Sequence, residues 1–251
     1  MAIEGQMSIV DHLEELRSRL LKSIIAITIT TLAAFAFTEK IMAYLIAPAG
    51  IKPIFLRPTE MFITYFKISL MTGLIVAMPF LVYQLIQFLW PGLKGVERKY
   101  IRLIVPAATF SFVVGVLFTY YIILPFSLRY LVSFGGNLVE AQWAIGEYIS
   151  FVTTLLFWSG VIFETPLIMF FLSRLGIVTP SFLSKNRKYA ILIIAVVAAM
   201  ITPTPDPFNM GLVMVPLLVM YETGIILSRI AYRERTRRTD DHKSSPEVPA
   251  K

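Results

Sequence analysis

The sequence predicts an all-α integral membrane protein with six transmembrane helices and both termini on the cytoplasmic side. Three observations carry this. Of the 251 residues 57% are hydrophobic, with a mean hydropathy of +0.72, above the roughly 45–50% apolar usage of soluble domains. The apolar residues are gathered into long runs, and the Lys and Arg between the runs fall unequally on alternate connections.

The same composition excludes several function classes. With no Cys there is no disulfide framework, thiolate zinc site or cysteine nucleophile. His12 has no second ligand at metal spacing, and no glycine-rich phosphate loop or Gly-x-Ser-x-Gly elbow is present. No catalytic centre, metal or cofactor is therefore expected. The formal charge of +7 does not indicate nucleic acid, because the basic residues lie between apolar runs and report sidedness.

Taken in order, the chain opens on a polar, carboxylate-rich stretch without a small-residue cleavage site, so the first span is expected to be retained. Ser8-Ile9-Val10-Asp11 has the spacing of a capping box and predicts a helix start near Ser8. Ile9, Leu13, Leu16 and Leu20 then form one apolar stripe beside a polar face of Asp11, Glu15 and Arg19, which suits residues 1–19 to a helix lying at the membrane surface. Read alone, Glu14, Glu15, Arg17 and Arg19 make a solvated face with pairs worth about 0.2–0.5 kcal/mol each.

A bilayer core about 30 Å thick needs about 20 apolar residues in helix, and the runs 20–37, 68–90, 103–126 and 149–172 meet or approach that length. The runs 189–201 and 210–221 are shorter and are separated by Thr202-Pro203-Thr204-Pro205-Asp206-Pro207, which cannot continue a helix. They predict a short helical hairpin, with a re-entrant pair as the alternative. Asp206, in that turn, can cap the helix that follows. The connections 38–67 and 127–148 are long, carry apolar and aromatic residues, and are expected to be structured. The tail 231–251 is charged and is expected to be disordered. The core domain is then 20–230.

Positive residues are retained on the cytoplasmic side. With the N-terminus inside, the inner segments hold 18 of the 23 Lys and Arg and the outer segments five, namely Lys40, Lys52, Arg57, Lys67 and Arg129. Two carboxylates stand out against this pattern. Glu97 is alone among Lys94, Arg98, Lys99 and Arg102, where local neutralisation would account for it. Glu164 lies well inside the fourth span, where a charge costs several kcal/mol unless paired, hydrated or protonated.

His12-Leu13-Glu14-Glu15-Leu16-Arg17-Ser18-Arg19-Leu20 closely resembles the HLxELRxRL signature of the TatC family, the large core subunit of the twin-arginine protein translocase. Further strings agree in order: Arg57-Pro58-Thr59-Glu60 with Phe66-Lys67-Ile68-Ser69, Tyr83-Gln84, Trp90-Pro91-Gly92-Leu93 with Glu97-Arg98, Phe163-Glu164-Thr165-Pro166-Leu167, Leu175-Gly176-Ile177-Val178-Thr179, and Thr202-Pro203 with Pro205-Asp206. The resemblance runs from about residue 8 to 229.

It implies a glove-like, concave bundle in a prokaryotic plasma membrane. It further implies a receptor for folded proteins whose signal peptides carry two consecutive arginines, working with single-span TatA- and TatB-type partners in a multimeric complex driven by the proton-motive force. Signal-peptide binding maps onto Glu15 and Glu97, with Phe88, Arg17 and Arg98 beside them. Glu164 becomes an intramembrane polar site for a partner helix or water, and Asp206 belongs to a periplasmic turn. The inner cations would hold anionic lipid headgroups. The competing reading is a proton-coupled secondary transporter of small solutes, which an intramembrane carboxylate and proline-broken helices would also suit.

Overall fold

A computed structural model of the chain describes residues 9–89, 98–133, 142–202 and 206–244. Its regular elements are helical: α1 (Ile9–Phe35), α2 (Thr38–Ile46), α3 (Glu60–Leu89), α4 (Arg98–Phe118), α5 (Leu124–Ser133), α6 (Ile145–Phe163), α7 (Thr165–Leu175), α8 (Pro180–Lys185), α9 (Arg187–Ile201) and α10 (Pro207–Ser244). The described residues fall into two compact units, Met1–Val161 and Ile162–Lys251.

In the first unit α1 packs antiparallel along α3. Small and hydroxyl residues draw the two backbones together, as they do where lipid supplies no hydrophobic drive between helices. Thr30 Oγ1 donates to the Gly73 carbonyl at 2.8 Å, and the Thr38 and Ser69 hydroxyls meet at 2.5 Å. A Cβ on Gly73 would lie 2.5 Å from the Thr31 backbone nitrogen, so only glycine admits this approach. The rest of α1 faces outward, with Leu20, Ile25, Ile29 and Leu32 exposed as lipid contact requires.

Of the segment 1–19, expected to form a surface helix, residues 1–8 lie outside the described residues and 9–19 are the first part of α1. No proline or glycine interrupts 9–35, so α1 continues without a break from the amphipathic segment into the apolar one. Between α4 and α5 the helix widens for one turn at Thr119–Ile123, with Leu124 donating to the Thr119 carbonyl. Pro125 has no N–H for the Tyr121 carbonyl, and the wider turn absorbs that loss.

Both long connections are structured where described. Glu60 accepts from the backbone nitrogens of Leu56, Arg57 and Gly146 at 2.7, 3.2 and 2.7 Å. Tyr148 donates to the Leu45 carbonyl at 2.7 Å, and the backbone of Ile54 pairs with Trp143 and Ile145. These bonds tie the connection after α1 to the start of α6.

In the second unit α7 packs on α10 through the buried hydroxyls of Ser173 and Ser228, 2.5 Å apart. Helix α7 stops at Gly176, whose φ of 76° suits a residue without Cβ. Helix α9 has 15 residues and spans about 22 Å, short for a bilayer core of about 30 Å. The sixth apolar run, expected to stand as a short helix, is instead the first part of the 38-residue α10. The disorder expected from 231 does not set in there: α10 continues to Ser244. Its continuation carries Arg233, Arg235, Arg237 and Arg238, which are good helix formers, and extending an existing helix avoids the cost of nucleation.

Candidate functional site

The antiparallel register of α1 and α3 brings the N-terminal half of one against the C-terminal end of the other. There Glu15 and Arg19, one turn apart on α1, form an ion pair. Arg19 Nε donates to Glu15 Oε1 at 2.9 Å and its Nη2 donates to the same oxygen. Arg19 Nη1 donates across to Gln84 Oε1 on α3 at 3.3 Å, where Gln84 is only 6% exposed. The His12 ring stacks on Phe88, with centroids 4.4 Å apart and planes 20° from parallel.

The solvated-face reading holds for Glu14 and Arg17, which are exposed, but only in part for Arg19 and Glu15, whose side chains are 20% and 19% exposed. Both guanidinium donors converge on Oε1, and Glu15 Oε2 is buried without a hydrogen-bond partner among the described residues. An unsatisfied buried acceptor costs about 1–3 kcal/mol, and more when charged. This carboxylate thus has an oxygen that a further cationic donor would relieve.

Other candidate residues are placed less fully. Arg17 is exposed and lies two positions from Glu15, too few to share its face of the helix. Glu97 falls outside the described residues. Arg98 opens α4, and its side chain is likewise outside them. Arg19, Gln84 and His12 join the cluster, although the sequence reading assigned none of them a binding role. Their only signals were the four-residue spacing from Glu15 to Arg19 and membership of the matching strings.

Glu164 and Asp206 lie in the second unit. Helical hydrogen bonding is interrupted at Glu164, between α6 and α7, because Pro166 cannot donate to the turn before it. Glu164 is 8% exposed, and its Oε1 is buried without a hydrogen-bond partner among the described residues. Asp206 caps α10: its Oδ1 accepts from the Asn209 backbone nitrogen at 2.7 Å and its Oδ2 from Asn209 Nδ2 at 2.9 Å. Pro207 follows at the first helical position, where its missing N–H costs nothing. Among the described residues, no group of three or more His, Cys, Asp or Glu is placed to hold a metal ion.

Residues 11–216 match the family model described as Sec-independent protein translocase protein (TatC). The chain belongs to the TatC family. It is 36% identical over 226 residues to the TatC protein of Carboxydothermus hydrogenoformans, covering 89% of this chain and 93% of that one. It is 37% identical over 221 residues to that of Synechocystis, covering 88% and 87%. A chloroplastic TATC of Arabidopsis thaliana is 34% identical over 233 residues, or 92% of this chain and 68% of that one.

The fold is similar to a crystal structure of the twin arginine translocase receptor TatC, with a TM-score of 0.80 and 36% identity over 88% of this chain and 99% of that one. This TatC chain is a multi-pass membrane protein, with five helices among the described residues long and apolar enough to cross a membrane and the shorter α9 besides. The family match takes in Glu15, Phe88, Glu97, Arg98, Glu164 and Asp206 and stops at residue 216, within α10.

Proposed function

We propose that this TatC chain is the twin-arginine signal-peptide receptor of a Sec-independent protein translocase, with both termini in the cytoplasm and transport driven by the proton-motive force. The observation that carries this reading is the half-buried Glu15. It is held by Arg19 on one oxygen, left unpaired on the other among the described residues, and flanked by the stacked His12 and Phe88.

A guanidinium presents a planar fork of donors that suits a carboxylate with an oxygen lacking a donor, whereas an ammonium acts as a point charge. The first ligand arginine takes Glu15 Oε2, and Glu97, in the segment that follows α3, takes the second. Phe88 offers an apolar face for the residues beside the pair, and Arg17 and Arg98 border the site. The count of basic residues supports the orientation, because these carboxylates then stand among the cations of the inner side. Contrast supplies specificity, since the acidic groups give a cationic peptide its local attraction and the surrounding cations repel it elsewhere.

Binding of a labelled twin-arginine peptide to the protein in detergent tests the proposal against a twin-lysine peptide of the same sequence. The arginine form is expected to bind at least about tenfold more tightly, as expected where a bidentate contact is replaced by a point charge. Equal affinities would remove the receptor reading and return the solute transporter, for which uptake into vesicles holding only this chain is the positive test.

TatA- and TatB-type single-span proteins are the partners in this reading, within a multimeric complex and a prokaryotic plasma membrane. Glu164 supports it as a polar contact inside the membrane for a partner's helix or for water, because a buried carboxyl oxygen without a bond is costly unless something else supplies one. Glu164→Ala is expected to reduce both crosslinking to the partner helix and transport, while Glu164→Gln retains part of each. If the alanine variant left both unchanged, Glu164 would be a packing residue.

A further inference from the structure

Within the second unit a cavity of about 610 Å³ lies between α8 and α10, inside the range of about 300–1,000 Å³ usual for small-ligand sites. Its lining includes Thr179, Ser184, Lys185, Arg229, Tyr232 and Arg233, with three cations, several hydroxyls and no carboxylate among the described residues. Arg229 and Arg233 are one turn apart on α10 and so share a face. Neither these two nor Lys185 has an ion-pair partner among the described residues. The Ser184 hydroxyl is buried and has no hydrogen-bond partner there either.

The walls are held in place. Tyr221 on α10 donates to the Leu183 carbonyl on α8 at 2.9 Å. One turn of chain further on, Arg187 forks onto both oxygens of Glu222 at 2.8 and 2.9 Å, which engages the nearby carboxylate of α10 elsewhere. The cavity is therefore a fixed, electropositive recess with an unused hydroxyl donor.

Its depth in the membrane follows from helix geometry. Pro207 opens α10, and Arg229 lies 22 residues later, about 33 Å along the axis at about 1.5 Å per residue. That is close to a bilayer core of about 30 Å, so the cavity sits at the membrane–water boundary. Tyr232 is of the type favoured there. On the same side of α10, Ile226 and Ile230 are 57% and 49% exposed, an apolar track leading from the cations toward the membrane interior.

We propose that this cavity binds the phosphate headgroup of an anionic membrane phospholipid. Lys185, Arg229 and Arg233 surround the phosphate, Ser184 Oγ donates to one of its oxygens, and an acyl chain lies along Ile226 and Ile230. A free phosphate ion would share the headgroup chemistry, but it would make no use of the apolar track. The site is separate from the Glu15 cluster and rests only on membrane placement, so failure of the receptor reading would leave it standing.

Native mass spectrometry of the full chain, delipidated and then supplied with phosphatidylglycerol or phosphatidylcholine, tests the assignment without any signal peptide. The wild type is expected to retain phosphatidylglycerol in preference to phosphatidylcholine. Lys185→Gln/Arg229→Gln/Arg233→Gln, checked for cooperative thermal unfolding, is expected to weaken that retention by about tenfold to a hundredfold, from three cations near the surface. Ser184→Ala, a much smaller change, should weaken it severalfold, and neutralising Lys40, Lys52 and Arg57 should leave it unchanged. Equal retention by wild type and the triple variant, or equal retention of the two lipids, overturns the proposal. Displacement of the lipid by millimolar inorganic phosphate would overturn the lipid assignment in favour of a soluble anion.

Discussion

Glu15→Ala is expected to lower affinity for a twin-arginine peptide by about 2–5 kcal/mol, the range for truncating one partner of a desolvated, hydrogen-bonded charge pair. The size follows from burial. Glu15 is about one-fifth exposed and shares its site with Gln84 and the His12–Phe88 stack, so its attraction to a guanidinium is little screened by water. Removing the carboxylate also releases Arg19, which then presents an uncompensated positive charge to a positively charged ligand. Glu15→Gln keeps the shape and an acceptor oxygen but not the charge, and should lose nearly as much. Fluorescence anisotropy of the labelled peptide across wild type, Glu15→Ala, Glu15→Gln and Glu97→Ala measures it. Wild-type affinity in the Glu15 variants would mean that the Glu15–Arg19 pair only holds α1 to α3.

Gly73→Leu is expected to be the most damaging single change to the architecture that positions this cluster. A Cβ at position 73 would meet the Thr31 backbone nitrogen and Cα at 2.5 and 2.6 Å, and backbone cannot move aside as a flexible side chain can. Helices α1 and α3 must separate at their crossing, which also breaks the Thr30 bond to the Gly73 carbonyl. Gly73→Ala should cost about 1–3 kcal/mol, typical of overpacking at a tight contact, and leucine more. The thermal unfolding midpoint should fall in the order wild type, alanine, leucine. Peptide affinity should fall with it, since Gln84 and Phe88 are carried on the same α3 that is displaced. A leucine variant that unfolds at the wild-type temperature would show that the helices do not cross here as closely as Gly73 and Thr31 indicate.

Much of the molecule was legible in the amino-acid order because the bilayer is a demanding solvent. Runs such as 68–90 and 149–172 must be helical, since lipid offers no partner for backbone groups, and they correspond to α3 and to α6 with α7. The start of α10 was equally clear, because Pro203 and Pro205 cannot continue α9 and Asp206 has the side chain to begin a new helix, as its bond from the Asn209 nitrogen shows. At the described ends the helices run further than local pattern suggests. The segment 9–19 has the pattern of a surface helix, and the charged stretch after Arg233 the composition of a disordered tail. Pattern and composition do not register that each is joined without a break to a helix already formed, which lets the helix propagate.

By itself, the sequence determined a multi-span helical membrane protein of the TatC family and put Glu15, Glu97 and Glu164 forward as carboxylates in unusual company. Tertiary structure alone decided which of these surroundings are buried. The four-residue spacing of Glu15 and Arg19 suits an exposed pair and a sheltered one equally. Only the antiparallel approach of α3, permitted by Gly73 and extended to Gln84 and Phe88, shelters most of that pair from water and leaves one carboxylate oxygen without a partner among the described residues. Likewise Lys185 and Arg229, 44 residues apart, are two more cations between apolar runs in the sequence, and the docking of α8 on α10 makes them one cavity. Period and composition act along a single helix, whereas burial depends on which second helix packs against it, at a sequence distance those local signals do not span.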